Sequence, residues 1–261
     1  MSSTVAPGEV NVKGLTIISD ARHCVAMTAA LARPNAPTGL IRSVAPVRRR
    51  PDLHWDEFSR HWREEHAAIA SRLAGMTSYV QAHAHPDLQA AGTPAAWRYD
   101  GAAFAGFADL EALEQMRADE GYRSRAVADE AEFVDRAAMA AVLLVDDWVD
   151  PPADPVAMRR TVLVFVRAGA TDGADAGRAL ARQLAAGGGA GPSGSAWSRA
   201  LGRDPGLAPG GADGCRFDAL LELWFEEPAA AAVLAERLVA TRERLVVSVV
   251  ACLVAEENRV I

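Results

Sequence analysis

Two stretches of this chain open a segment in the same way: Tyr99-Asp100-Gly101-Ala102-Ala103 and Phe217-Asp218-Ala219-Leu220-Leu221. In each, an aromatic residue and an aspartate lead into a small or apolar run that reads as a strand. The chain therefore reads as a duplication. Doubling constrains the fold more than any other feature, because each copy must bury its own core within roughly 100 to 120 residues. At 261 residues the chain has room for two such copies.

In the first copy, Leu40 to Val47 reads as a strand that ends in the polar turn Arg48 to Asp52. A helix from Trp55 to about Leu73 follows, entered through Asp52 or His54 and stopped by Gly75. Met76 to His85 is a second strand, Pro86 to Pro94 a loop, and Tyr99 to Phe107 a third strand. Asp109 to about Phe133 reads as helix with an interruption at Gly121, and Ala140 to Val149 as the last strand. Pro151, Pro152 and Pro155 form a linker. The order then repeats: strand Thr161 to Arg167, helix Asp175 to Ala186, strand Ser195 to Leu201 inside a Gly- and Pro-rich stretch, strand Phe217 to Phe225, helix Ala229 to Arg244 and strand Val246 to Ala255. The expectation is an α+β fold of two tandem ferredoxin-like (βαββαβ) units, residues 38–150 and 156–261. An arm, residues 1–37, precedes them, with a short strand in Gly14 to Ser19 and a helix over Cys24 to Leu31. Each antiparallel sheet leaves one face apolar, so the two copies should pair sheet to sheet as an internal pseudo-dimer. A homodimer of the whole chain is left open.

Charge and composition exclude several function classes. A formal net charge of −7 argues against nucleic acid, and the basic run Arg48-Arg49-Arg50 is too short to track a phosphate backbone. No stretch approaches the length of a membrane span, and no basic and apolar leader opens the chain, so a cytoplasmic protein is expected. Cys24, Cys215 and Cys252 are far apart and odd in number, which reads as inert free thiols. The sequence lacks the dinucleotide fingerprint, the phosphate loop, the nucleophile elbow and HExxH. No metal and no cofactor are expected; His83 and His85 at i, i+2 lack further ligands.

The first helix carries the most chemistry. At 100° per residue, Trp55, Phe58, Trp62, Ile69 and Leu73 share one stripe. His66 joins that stripe, and His61 lies at its edge, read as a surface residue. Burial of His66 favours neutral imidazole, able to take a proton near neutral pH if a carboxylate or carbonyl fixes its tautomer. In the next strand, period two puts Tyr79, Gln81, His83 and His85 on one face. Such a face meets water or lines a polar cavity. Asp100 opens the third strand, where a carboxylate could reach His66 or His83. His66, Tyr79, His83 and Asp100 form the candidate general acid/base set, with Trp62, Phe58, Gln81 and Phe104 as substrate contacts. The bland reading is a satisfied core histidine.

Arg48-Arg49-Arg50-Pro51, Phe58-xxx-Trp62-Arg63-Glu64-Glu65-His66-Ala67, Tyr79-Val80-Gln81-Ala82-His83, Tyr99-Asp100-Gly101 and Glu130-Ala131-Glu132-Phe133-Val134-Asp135 together resemble the EthD family over about residues 40–149. The second copy resembles it only through Phe217-Asp218 and the following strand, and no histidine follows His85. The resemblance implies a dimeric α+β barrel, formed here within one chain, and a cavity between the first helix and the sheet with His66 as its leading polar group. It also implies a cofactor-independent enzyme of cyclase, dehydratase or decarboxylase type, acting on an aromatic, polyketide-like small molecule with His66 as general base. Two alternatives stand beside it. One is a non-catalytic binding or accessory protein for an aromatic ligand. The other is a haem-binding or cofactorless oxygenase relative.

Overall fold

The computed structural model describes residues 11–12, 15–16, 41–84, 86–89, 93–94, 98–139, 141–152, 160–167, 173–186, 190–203, 217–245 and 247–261. The chain divides into two compact units, Met1–Thr38 and Gly39–Ile261. In the first, Asn11–Val12 pairs antiparallel with Leu15–Thr16. Leu15–Thr16 falls within the strand expected over Gly14 to Ser19; the rest of that stretch and the helix expected over Cys24 to Leu31 lie outside the described residues.

The second unit contains the expected order of elements twice. Its first half runs β1 (Ile41–Val47), α1 (Trp55–His61, continuing through Trp62–His66 and Ala67–Ala70), β2 (Met76–Ala84), β3 (Gly101–Phe107), α2 (Leu110–Ala118), α3 (Tyr122–Ala126, continuing through Val127–Phe133) and β4 (Val142–Asp150). Its second half runs β5 (Arg160–Arg167), α4 (Gly173–Ala185), β6 (Gly194–Arg203), β7 (Ala219–Phe225), α5 (Pro228–Thr241) and β8 (Ser248–Arg259). All eight strands close into one antiparallel barrel in the order β8-β2-β3-β1-β4-β6-β7-β5. The two seams are equivalent: the last strand of each half pairs with the second strand of the other, β4 with β6 and β8 with β2. Closure leaves no free sheet edge, and each half supplies the partner the other needs.

Alternation along the strands fills both sides of the wall. Val44, Ala82, Ala102, Phe104 and Leu144 belong to the largest apolar cluster, which spans the two halves. Their neighbours Ile41, Phe107, Leu143 and Val145 pack outward with Leu113 and Met116 of α2. At the β1–β4–β6–β7 side, Arg42 bonds Asp146 at 2.6 Å, Glu222 at 2.6 Å and Ser198 at 2.5 Å. Burial disfavours its charge, but Glu222 and Asp146 outweigh that and hold the guanidinium pKa above its ordinary value. One arginine thus ties strands of both halves together.

Three sequence expectations shift at the helices. α1 is not uniform: Trp62–His66 is a π turn, with the amide of Ala67 bonding the carbonyl of Trp62. The helix after β3 is broken by Asp119, whose backbone is extended (φ −64°, ψ 133°), rather than at Gly121. α3 then opens with a second π turn, Tyr122–Ala126. The α1 segment ends at Ala70 with Ser71 as its C-cap, short of the expected Leu73, and Gly75, with φ +89° in the region open to glycine, makes the turn into β2.

Candidate functional site

α1 and α3 cover the outer face of the first half's sheet, and the candidate site lies between them and the strands. Phe58, Trp62 and Phe133 form its buried apolar floor, with Phe58 and Trp62 ring centroids 5.4 Å apart. Trp62 lies flat enough to reach the sheet because β3 begins at Gly101, where a Cβ would fall 2.5 Å from the indole. The indole Nε1 donates to the Tyr79 hydroxyl at 3.2 Å.

His66 is buried at 6% exposure. Its Nδ1 lies 2.8 Å from Oδ2 of Asp129, about two turns into α3. The other oxygen of Asp129 lies 2.9 Å from Nε2 of His61, whose Nδ1 is 3.3 Å from exposed Glu65. His61 is therefore not the surface residue the helical stripe suggests; its side chain is 20% exposed and engaged. Burial alone would raise the Asp129 pKa, but the hydrogen bonds and charges of the two histidines hold it below the ordinary carboxylate range. Asp129 as an anion fixes a proton on His66 Nδ1 and leaves Nε2 to serve the cavity that His66 lines.

That cavity measures about 70 Å3 and is walled mainly by Ala70, Leu73, Met76, Ala103, Phe107 and Met116. Its polar groups are His66, Ser43, Tyr79, Arg117, Tyr122 and Glu130. Glu130 is 8% exposed, and its Oε2 has no partner among the described residues. Burial raises its pKa, against the charges of His66 and Arg136. Burial also lifts Tyr122 to about 12, with Glu130 adding to the effect, and raises Tyr79 further. The site therefore juxtaposes an imidazole oriented by a carboxylate with two tyrosine hydroxyls and a carboxyl whose pKa burial raises, in an apolar setting suited to moving a proton at a carbonyl compound.

The remaining predicted site residues divide. Tyr79 joins His66 at the cavity. His83 does not: it is 1% exposed, and its Nδ1 is 2.9 Å from Ser59 Oγ and its Nε2 3.2 Å from Gln81 Oε1. Burial, then the charge of Arg63, lowers its pKa to about 3. Gln81 is fully buried; its amide donates to the Trp62 carbonyl at 2.6 Å and accepts from Asn258 of β8 at 2.9 Å. It supports the π turn that presents His66. Asp100 orients neither histidine. Its carboxylate takes the Arg49 side chain and the Arg49 amide, because the aspartate opens β3 at the end where β1 leaves the sheet. Phe104 is on the barrel side of β3, within 5.7 Å of the Arg42 guanidinium, and Phe58 and Trp62 are core. His85 lies outside the described residues. Asp129, Glu130 and Tyr122 escaped the sequence reading, although Ala126, Glu130 and Phe133 share a helical face at four- and three-residue spacing.

On the corresponding face of the second half, Trp197 of β6 packs against Gly177 of α4, where a Cβ would fall 2.3 Å from the indole. The pocket of about 180 Å3 beside Leu184, Phe225 and Leu234 has Arg237 as its one charged residue among the described lining. Leu180, Leu184, Leu221, Leu223 and Phe225 complete that core. Cys252 is buried there, with its thiol pushed up to about 12 by burial. No described helix is long and apolar enough to cross a membrane.

A closed eight-stranded antiparallel barrel with its helices outside, built from two ferredoxin-like halves, defines a dimeric α+β barrel protein, here completed within one chain. Residues 50–137 match the model of the EthD domain family. A crystal structure of an anthrone oxidase-like protein is similar at 13% identity, covering 86% of this chain and 94% of that one, with a TM-score of 0.58. A chlorite dismutase variant from Candidatus Nitrospira defluvii is similar at 8% identity, covering 90% of this chain and 96% of that one, with a TM-score of 0.46. At these identities the likeness is one of fold. No curated protein matches the chain.

Proposed function

We propose that residues 38–150 form a cofactor-independent acid/base site for an aromatic, polyketide-like ketone or phenol, and that residues 156–261 close the barrel. His66 Nε2 removes a proton from a carbon next to the substrate carbonyl. The C–H electron pair moves onto the carbonyl oxygen, and the resulting enolate accepts a hydrogen bond from the Tyr79 hydroxyl. Cyclisation, dehydration and decarboxylation share that step. The observation that supports the reading is the 2.8 Å contact between His66 and Asp129 at an apolar cavity.

The cavity, at about 70 Å3, is smaller than the roughly 150 Å3 that admits benzene. Substrate entry therefore requires α2 and α3 to move outward, and the break at Asp119 divides this cover into two short pieces. A second reading takes its motive from the fold neighbour described as anthrone oxidase-like: the same carbanion, once formed, reacts with dioxygen.

Anthrone, whose methylene flanks a carbonyl-conjugated ring system, tests both. Under anaerobic D2O, wild-type protein should exchange the methylene protons faster than buffer, and His66→Gln should lose at least about 10²-fold of that rate. Oxygen uptake on admitting air would favour the oxygenase reading. Tight binding with no exchange would leave a binding protein, and equal exchange by His66→Gln would remove His66 as the base.

A further inference from the structure

Glu130 is the one carboxyl among the described residues that line the His66 cavity, and the proton transfer proposed for His66 does not use it. Adjacent residues of a helix diverge by about 100°, so α3 sends Asp129 to the two histidines and Glu130 to the cavity. Glu130 there shares a helical face with Ala126 and Phe133, which are 2% and 1% exposed. An apolar side chain would suit that stripe. A carboxyl in the same place costs stability unless its oxygens are bonded.

One oxygen is not bonded within the protein. Glu130 Oε2 is buried and has no hydrogen-bond partner among the described residues. Arg136, whose charge acts on Glu130, donates to the Val127 carbonyl at 3.3 Å. Arg117, on the same cavity wall, donates to Glu114 at 3.3 Å. A carboxyl retains an acceptor oxygen whether or not it is ionised, so what Oε2 calls for is a donor. The walls are mainly apolar, which disfavours a charged donor and favours a neutral hydroxyl carried on an apolar ring.

We propose that Glu130 is a specificity-determining residue of this cavity: its Oε2 accepts a hydrogen bond from a ring hydroxyl of the substrate, so that the site selects hydroxylated over O-methylated or unsubstituted aromatic compounds. The inference rests on reading the cavity as a substrate site, but not on His66 acting as the base. Selection of this kind is strong because an analogue without the hydroxyl leaves the buried acceptor unpaired, whereas an apolar wall discriminates only by size.

Phenol, anisole and toluene test it by calorimetric titration of the full chain. Wild-type protein should bind phenol at least about 10-fold more tightly than either methylated probe, although those two leave water more readily. Glu130→Leu should bring phenol to the affinity of toluene or below it, and its urea midpoint should stay level or rise, because a buried acceptor without a partner is gone. Glu130→Met serves the same purpose with a more adaptable side chain if the branched one does not pack. His66→Gln should keep the wild-type order of the probes. Phenol preference without anthrone exchange would remove His66 as the base and leave this assignment standing; exchange without phenol preference would overturn this assignment alone. An unchanged preference in the Glu130 variants would also overturn it, since another group would then take the hydroxyl. So would the absence of saturable phenol binding up to about 10 mM.

Discussion

His66 Nδ1 and Asp129 Oδ2 lie 2.8 Å apart although the residues are 63 positions apart in the chain. The contact joins α1 to α3 over the sheet and gives the imidazole one orientation. Asp129 also holds His61 at 2.9 Å, so a single carboxylate organises both histidines.

Replacing Asp129 by Asn keeps the shape but removes the charge that favours one tautomer of His66. If His66 is the base, exchange should fall about 10- to 10²-fold while substrate affinity changes little. His61→Gln, which can still donate to Asp129, should lose much less. Equal losses in the two variants, read from the same exchange assay, would mean that the carboxylate acts only as a structural link.

Gly101 permits the close approach of Trp62 to the sheet; a Cβ there would fall 2.4 Å from the Ala82 carbonyl oxygen and 2.5 Å from the indole. The backbone oxygen cannot yield as a flexible side chain would. Gly101→Ala should destabilise the protein by about 1–3 kcal/mol, measured by urea unfolding, and should displace Trp62 enough to alter its fluorescence. A change in stability near zero would show that the strand start shifts freely.

His83 should make the protein acid-sensitive. Its pKa falls from an ordinary 6.5 to about 3 on folding, chiefly by burial. A depressed pKa contributes stability that is present above the unfolded value and is lost as pH drops toward the folded one. Between pH 6.5 and 3, His83 should therefore add a slope approaching about 1.4 kcal/mol per pH unit. Urea unfolding at several pH values should show a shallower loss for His83→Gln, and parallel curves would remove His83 as the cause.

Arg42 faces Asp146 and Glu222 in the barrel wall, and Glu222 has a side-chain exposure of only 5%. Arg42→Met should cost about 3–5 kcal/mol by leaving a buried carboxylate without its counter-charge. Adding Glu222→Gln should recover part of that loss, a coupling readable in a double-mutant cycle by thermal unfolding.

The order of elements was legible because each depends on local periodicity. Alternation marked the strands and the stripe through Trp55, Phe58 and Trp62 marked α1, while its end at Ala70 falls earlier than Gly75 suggests. The doubling showed in the two aromatic-Asp strand starts. The break before α3 falls at Asp119, whose backbone is extended, rather than at Gly121, which has helical backbone angles (φ −64°, ψ −33°).

The site was legible only in part. His66 and Tyr79 lie on faces that period predicts, and both reach the cavity. Period two does not say which face of a strand looks into a barrel, so Phe104 was read as a ligand contact although it faces inward. Asp100 shared the right end of the sheet but met Arg49 first.

The sequence by itself determined two βαββαβ halves and a histidine-bearing first helix, because local pattern and composition are properties of neighbouring residues. Only the tertiary structure decided that Asp129 orients His66, that Glu130 lines the same cavity with its Oε2 unpartnered among the described residues, and that Gln81 supports the π turn at Trp62. Those relations join residues from separate elements. They exist only once the strands have closed and the helices have docked, since hydrogen-bond geometry is fixed by packing over distances that no local pattern encodes.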